Sequence, residues 1–216
     1  MAESFKDQVD ALTGFGTTEN DALADWLTAG ARSILNVLPL NKLQRIASTT
    51  TFQDSQDVEG KKIIAVMRKD ENNSSKLMPC RQVSPALKGK VTDSSYMEAA
   101  STSDPVYYIE NDVLNVVPTH SDSNSSSVVN IDTNITVAHG STSISNFPDE
   151  AEYAVTLYAA RQALKKLIAD ANNDEDVEMA SSYSNQYALV DAQYKEALQI
   201  LGIEEIEERK LQRDAR

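Results

Sequence analysis

Residues 144–164, ISNFPDEAEYAVTLYAARQAL, contain the clearest change of local structure in the chain. Pro148 is followed by three acidic residues within four positions, and this combination is typical of the first turn of a helix. The apolar residues that follow recur three or four positions apart, which is the spacing of one helix face. They are Tyr153, Leu157, Ala160, Leu164, Leu167 and Ile168. The stretch therefore predicts a long helix that begins next to Pro148.

A second helix is predicted after the turn formed by residues 172–174, NND. Its apolar positions are spaced alternately three and four apart. They are Ala180, Tyr183, Tyr187, Val190, Tyr194, Ala197 and Leu201. Gly202 fits the position just after a helix C-terminus. The length and the tyrosine content favour antiparallel packing of this helix on the preceding one.

The N-terminal residues 1–46 are also predicted to be helical. From Glu19 the apolar positions follow helical spacing until Pro39, which closes the helix. They are Leu23, Trp26, Leu27, Gly30, Ile34, Val37 and Leu38. A shorter helix over residues 4–13 is predicted to end at Gly14.

Residues 47–146 have the pattern of β structure. Short β-branched and apolar runs occupy residues 49–52 and 62–68. Residues 105–110 and 113–118 are joined by Asn-Asp and predict a hairpin. Residues 128–137 form a further run, whose alternation of apolar and polar residues from Val129 onward is typical of a half-buried strand.

The pattern as a whole predicts an α+β fold. Helices at both ends, residues 1–46 and 147–202, each have an apolar face that needs a partner, so we expect one helical bundle. An antiparallel β domain over residues 47–146 is inserted into it. Residues 203–216 form a charged C-terminal tail.

The charge of the chain restricts the kinds of partner. The 216 residues include 33 acidic and 20 basic side chains, for a net charge of −13. This balance argues against a protein that wraps nucleic acid, because phosphate neutralisation needs an excess of Lys and Arg. It is compatible with an acidic wall around a DNA passage. No apolar run is long enough for a membrane span, and we expect no secretory signal.

The sequence also argues against catalysis. It has one cysteine, Cys80, and two histidines, His120 and His139, and it lacks the glycine-rich phosphate-binding loops and the common hydrolase motifs. We expect Cys80 to be a packed, unreactive thiol. We therefore expect no enzymatic activity, no cofactor and no metal ion.

Residues 144–164 resemble a stretch in virion structural proteins of tailed bacteriophages. In those proteins a strand ends in an FPDE-like turn and enters a helix rich in tyrosine and alanine. Residues 24–35, ADWLTAGARSIL, followed by Pro39, are similar to the same group, the head-to-tail connector, adaptor or neck proteins. The resemblance covers parts of the two helical ends, under half of the chain.

The resemblance implies a structural protein of the virion neck, made in the cytoplasm of the bacterial host. Such proteins form a ring, usually of about twelve subunits, that connects the portal to the tail and seals or lines the DNA channel. The implied partners are the portal protein, tail or collar proteins and further copies of the chain. Genomic DNA would pass through without specific binding, and no membrane is involved.

Two groups of residues are candidates for these contacts. The C-terminal tail matches a segment that often docks onto the portal in such adaptors, which makes Ile203, Ile206, Leu211, Arg213 and Arg216 candidate portal-binding residues. Small and tyrosine residues on the helices supply candidate subunit contacts, namely Trp26, Gly30, Tyr183, Tyr187 and Tyr194.

Two alternative functions remain open on the sequence alone. The protein could act on the tail side, as a tail terminator or an attachment point for fibres, with the β domain facing outward. A less favoured alternative is a cytoplasmic metal-binding hydrolase that uses His120, His139 and nearby acidic residues.

Overall fold

The computed structural model describes residues 3–14, 20–70 and 75–203, and the chain belongs to the α+β class. Two compact units are present. The helical unit lies within residues 1–45 and 134–216, and the β unit comprises residues 46–133. The helices are α1 (Phe5–Thr13), α2 (Asn20–Val37), α3 (Leu40–Leu43), α4 (Lys88–Thr92), α5 (Asp149–Asn173) and α6 (Val177–Ile200), with a 3-10 turn at Pro85–Leu87. The strands are β1 (Ser48–Phe52), β2 (Ser55–Asp57), β3 (Lys61–Lys69), β4 (Leu77–Pro79), β5 (Arg81–Gln82), β6 (Val106–Glu110), β7 (Val113–Val117) and β8 (Ser126–Asp132).

Helix α5 is the central element of the helical unit. It packs against α1, α2 and α6, and a run of consecutive residues near its N-terminus, 154–157, is buried on every side. A helix that contacts neighbours all round needs more than the single apolar face that the spacing predicts. Tyr153, the first residue of the predicted face, is 51 % exposed. Alanines that the predicted face omits, such as Ala154 and Ala159, are buried instead.

The helix ends follow local sequence signals. Ser4 caps α1 through a capping box with Asp7, and Gly14 ends that helix in a left-handed conformation. Asp176 caps α6 by accepting a hydrogen bond from the backbone N–H of Met179. The helices predicted from residues 4, 19 and 148 onward and after residue 174 are therefore confirmed.

Two four-stranded sheets make up the β unit. The first sheet has the order β1-β8-β3-β4 and is antiparallel, and the second has the order β2-β7-β6-β5, with β5 and β6 parallel. The inner faces of both sheets contribute to one core, which contains Phe52, Val58, Val66, Leu114, Val116 and Val128. The predicted hairpin is confirmed. Its turn residues Asn111 and Asp112 both have positive φ, as a two-residue turn of this kind requires.

The predicted boundary at residue 146 differs from the observed one at residue 133. Strand β8 ends at Asp132, and residues 134–146 lie against the helices. The Arg32 guanidinium donates to the Ile135 carbonyl at 3.0 Å, and the Val137 N–H donates to the Thr28 hydroxyl at 3.0 Å. Ile135 and Val137 are buried there. Beyond Asp132 the alternating pattern therefore comes from an extended chain that buries one side against the helices, and not from a strand paired in a sheet.

Candidate interaction surfaces

Arg161 of α5 binds three residues of α6. Its Nη2 lies 2.6 Å from Asp191 Oδ1, and its guanidinium carbon lies 4.5 Å from the ring centre of Tyr194 and 5.9 Å from that of Tyr187. Cation–π contacts of this kind stabilise the pairing of the two helices. Burial raises the pKa of the Tyr194 hydroxyl, so this tyrosine stays neutral. Tyr187 and Tyr194, predicted as subunit contacts, thus contact the same chain.

The other predicted subunit contacts also lie within the helical packing. Gly30 is buried against Tyr158 of α5, and Tyr183 is only 7 % exposed. Trp26 is half-buried. Gly30 and Tyr183 can therefore reach a second subunit only if the helices rearrange.

The predicted portal-binding segment is described only at its first residue. Ile203 is buried, and its N–H donates to the Leu198 carbonyl at 2.9 Å. Ile206, Leu211, Arg213 and Arg216 lie outside the described residues.

The outward surface of the first half of helix α6, residues 179–190, carries no charge. No charged residue occurs at positions 179–190, although charged residues make up 25 % of the sequence. On this surface Ala188 is exposed, and Leu189 is 62 % exposed. Further along the helix Ile200 is 76 % exposed. An uncharged, partly apolar helix surface on an acidic protein suits contact with another subunit.

The outer face of the first sheet contains a depression of about 400 Å³. Its lining includes hydroxyl, thioether, aliphatic and ammonium groups, from Thr49, Thr51, Met67, Lys69, Leu77 and Ser127. Lys69 is held at one side by Asp122, with 2.8 Å between Nζ and Oδ2. This contact lowers the pKa of the Asp122 carboxyl, so Asp122 is charged at neutral pH.

A loop over the second sheet presents Tyr96 and Met97 to solvent. Met97 is fully exposed and Tyr96 is 48 % exposed. The Ala100 N–H donates to the Val91 carbonyl and closes the loop, while Asp93 accepts hydrogen bonds from the Ser95 N–H and hydroxyl. Sequence reasoning missed this loop. The available signal was a tyrosine and a methionine side by side in an otherwise polar segment, 92–98.

The two histidines do not form a metal centre in the described parts of the chain. His120 Nδ1 accepts a hydrogen bond from the Asp122 N–H at 2.9 Å, which occupies one of its two possible ligand atoms. The described ranges hold no group of three or more His, Cys, Asp or Glu side chains arranged to bind a metal ion. The geometry gives the metal-dependent hydrolase alternative no support.

No protein-family model matches the sequence, and no curated protein is significantly similar to it. None of the helices in the described ranges has the length and apolar character needed to cross a membrane.

Proposed function

We propose that this protein is a structural component of a tailed-phage virion, a ring-forming connector between the portal and the tail. The observation that carries the proposal is the uncharged outward surface of α6 on a chain of net charge −13. Copies of such an acidic chain repel one another, so a stable contact between them has to use a surface with little charge. The resemblance of residues 144–164 to connector sequences supports the same assignment.

The proposed ring has no catalytic step. Its work is mechanical: the subunits associate through unlike surfaces, the ring binds the portal on one side and tail or collar proteins on the other, and DNA passes through its centre. Excess negative charge would keep the duplex from binding to the wall. A closed ring needs two different complementary surfaces on every subunit.

The test is the mass of the purified protein by light scattering, alone and after mixing with its cognate portal. We expect a ring of about twelve subunits, formed in solution or only on the portal. A protein that stays monomeric and ignores the portal would contradict the proposal.

A charged substitution locates the contact. Leu189→Arg places a cation in the exposed α6 surface and should prevent ring formation. Because Leu189 is 62 % exposed, the free energy of unfolding should change by no more than about 0.5 kcal/mol. Ala169→Arg adds the same charge at an exposed position of α5 and serves as the matched control. Equal loss of the ring in both variants would remove α6 from the interface.

A further inference from the structure

Residues 118–125 lead from β7 in the second sheet to β8 in the first, and we call them the crossing loop. Hydrogen bonds tie this loop to the ends of two strands of the first sheet. Gln53, which follows β1, donates from Nε2 to the His120 carbonyl at 2.8 Å, and its own carbonyl accepts from the Ser125 hydroxyl at 2.9 Å. At the end of β3, the Lys69 N–H donates to the Ser125 carbonyl at 2.7 Å. The crossing loop is therefore anchored at His120 and at Ser125.

One hydrogen bond inside the crossing loop depends on the charge state of a side chain. The Asp122 N–H donates to His120 Nδ1 at 2.9 Å and closes a turn over residues 120–122. A ring nitrogen accepts only while it carries a lone pair, so this bond needs the neutral imidazole with its proton on Nε2. In the protonated ring both nitrogens are donors, and the Asp122 N–H would then face another N–H group. The bond therefore exists in one charge state of His120 and not in the other.

The charged groups around His120 can compensate a proton on its ring. The Asp54 carboxylate accepts the His120 backbone N–H at 2.9 Å. The Asp122 carboxylate belongs to the same turn and contacts Lys69 of β3 at 2.8 Å. Arg68, also on β3, donates to the carbonyl of the residue that precedes His120. The His120 ring is half-buried, so an imidazolium there would have two carboxylates and solvent close by.

We propose that His120 is a pH-sensitive latch on the crossing loop. The neutral ring holds the turn over residues 120–122 closed. A proton taken from solvent onto Nδ1 breaks the bond from the Asp122 N–H and opens that turn, and loss of the proton closes it again. The anchors at the His120 carbonyl and at Ser125 do not involve the ring and stay in place. This inference goes beyond the proposed function and does not rest on it.

The latch acts on one rim of the depression in the first sheet. Lys69 and Asn124 both line the depression. Asp122 holds both of them, because its Oδ2 contacts Lys69 Nζ and its Oδ1 accepts the Asn124 N–H at 3.0 Å. Opening the turn loosens the residue that positions these two side chains. The rim formed by Lys69 and Asn124 is therefore the part of this surface that we expect to respond to pH.

The expected change is confined to one backbone group. The hydrogen bond from Lys69 is the main cause of the lowered pKa of the Asp122 carboxyl, which therefore stays ionised in the range, about pH 5 to 8, where histidines change charge. The Asn124 N–H consequently keeps its acceptor throughout that range. The Asp122 N–H loses its acceptor when His120 is protonated. Loss of protection at Asp122 without loss at Asn124 is the signature of the latch.

Amide hydrogen exchange of the full chain, followed by mass spectrometry at about pH 8 and about pH 5, tests the latch. His120→Asn is the decisive variant, because an asparagine side chain accepts a hydrogen bond from the N–H two residues further on and does not titrate. His120→Ala removes the acceptor at every pH. Each variant is compared with the unmodified chain at the same pH, which cancels the intrinsic pH dependence of exchange.

At about pH 8 we expect the Asp122 N–H to be equally protected in the unmodified chain and in His120→Asn. In His120→Ala it should exchange roughly fivefold faster, the effect of one lost hydrogen bond. At about pH 5 the unmodified chain should match His120→Ala, while His120→Asn stays protected. The control His139→Asn changes the other histidine, also half-buried in a loop, and should behave like the unmodified chain at both pH values.

Three results would overturn the latch. The first is an Asp122 N–H that stays protected in the unmodified chain at about pH 5. The second is an equal loss of protection in His120→Asn, because a group other than His120 would then be titrating. The third is full protection in His120→Ala at about pH 8, which would show that the ring is not the acceptor. If His120→Ala does not fold, the comparison of the unmodified chain with His120→Asn still decides.

Discussion

Gly30 occupies a position in α2 where a side chain would collide with α5. A Cβ built there would lie 2.8 Å from Tyr158 Cδ1 and 3.2 Å from Tyr158 Cβ. Because one of these atoms is the Cβ next to the backbone, the whole tyrosine side chain would have to move. Alanine gains about 1 kcal/mol of helix propensity over glycine, but overpacking costs about 1–3 kcal/mol. We expect Gly30→Ala to lower the free energy of unfolding by about 1 kcal/mol, measured by urea denaturation.

The matched control is Gly89→Ala in α4. A Cβ at Gly89 meets nothing within 4 Å, so only the propensity gain remains. This variant should be neutral or more stable by up to about 1 kcal/mol. An equal gain at both positions would contradict the close approach of α2 and α5.

Cys80 is a half-buried thiol that packs against the core of the β unit. Burial raises its pKa to about 12, and nearby Arg68 opposes the rise only in part. Compared with the ordinary value of 9.0, the thiolate fraction falls about a thousandfold. We expect the native protein to react slowly with a thiol reagent at mildly alkaline pH and rapidly once unfolded. The control is the double variant Cys80→Ser, Ser94→Cys, which moves the thiol to an exposed loop. Its thiol should react rapidly in the native state, and slow reaction there would show that burial is not what slows the reaction of Cys80.

Residue-level prediction from sequence succeeded where a residue's role depends on its near neighbours. The prediction that Cys80 is packed is confirmed by its contact with the core of the β unit, and its low reactivity stays a prediction. Sequence reasoning could not pair Arg161 with Asp191, because the two residues are thirty positions apart and meet only through the packing of α5 on α6. The same limit applies to the tyrosines of α6. Their spacing shows which side of the helix is apolar, but it does not show which neighbouring element covers that side.

At the scale of elements, an ion-pair cluster joins the start of α5 to the end of α3. The Glu150 carboxylate accepts hydrogen bonds from Lys42 Nζ and from Arg45 Nη1, the latter at 3.0 Å. The hydrogen bond from Lys42, helped by the charges of Lys42 and Arg45, lowers the pKa of Glu150 below its ordinary 4.5. The carboxylate therefore stabilises the fold above pH 4.5, and this contribution is lost as the pH falls through the lower folded-state pKa.

Glu150→Gln should accordingly lower Tm at neutral pH, and the difference from the unmodified protein should shrink as the pH falls below 4.5. Thermal unfolding followed by circular dichroism over a pH series measures this. Glu196→Gln, at an exposed position of α6, is the control and should leave Tm nearly unchanged at every pH. A Tm difference for Glu150→Gln that is constant with pH would show that the carboxylate charge is not involved.

The elements themselves were predictable wherever a local period or a cap decides them. The capping box at Ser4, the stop at Gly14 and the Asn111-Asp112 hairpin are all encoded within a few residues. Residues 134–146 were assigned to the wrong unit because an extended chain packed on helices has the same two-residue period as a strand. The pairing of β1 with β8, far apart in sequence, has no local signal.

At the scale of the whole molecule, the β unit is an insertion whose ends meet. Ser48, near its start, is paired with Asn130, near its end, across the β1–β8 ladder. The unit has its own core, shared by its two sheets. Adjacent ends and a separate core are the features that allow an inserted domain to fold without its host.

Residues 46–133 expressed alone should therefore fold, with a β-type circular dichroism spectrum and one cooperative urea transition. The informative comparison is with a second fragment, residues 47–146, which has the domain boundaries predicted from the sequence. That longer piece should unfold at nearly the same urea concentration, since residues 134–146 contact the helices and add nothing to the β core. Its detached Ile135, Val137 and Ile144, buried in the full chain, should bind more of a hydrophobic dye. If the longer fragment is clearly more stable and binds no extra dye, residues 134–146 belong to the β unit. The boundary at residue 133 would then be wrong.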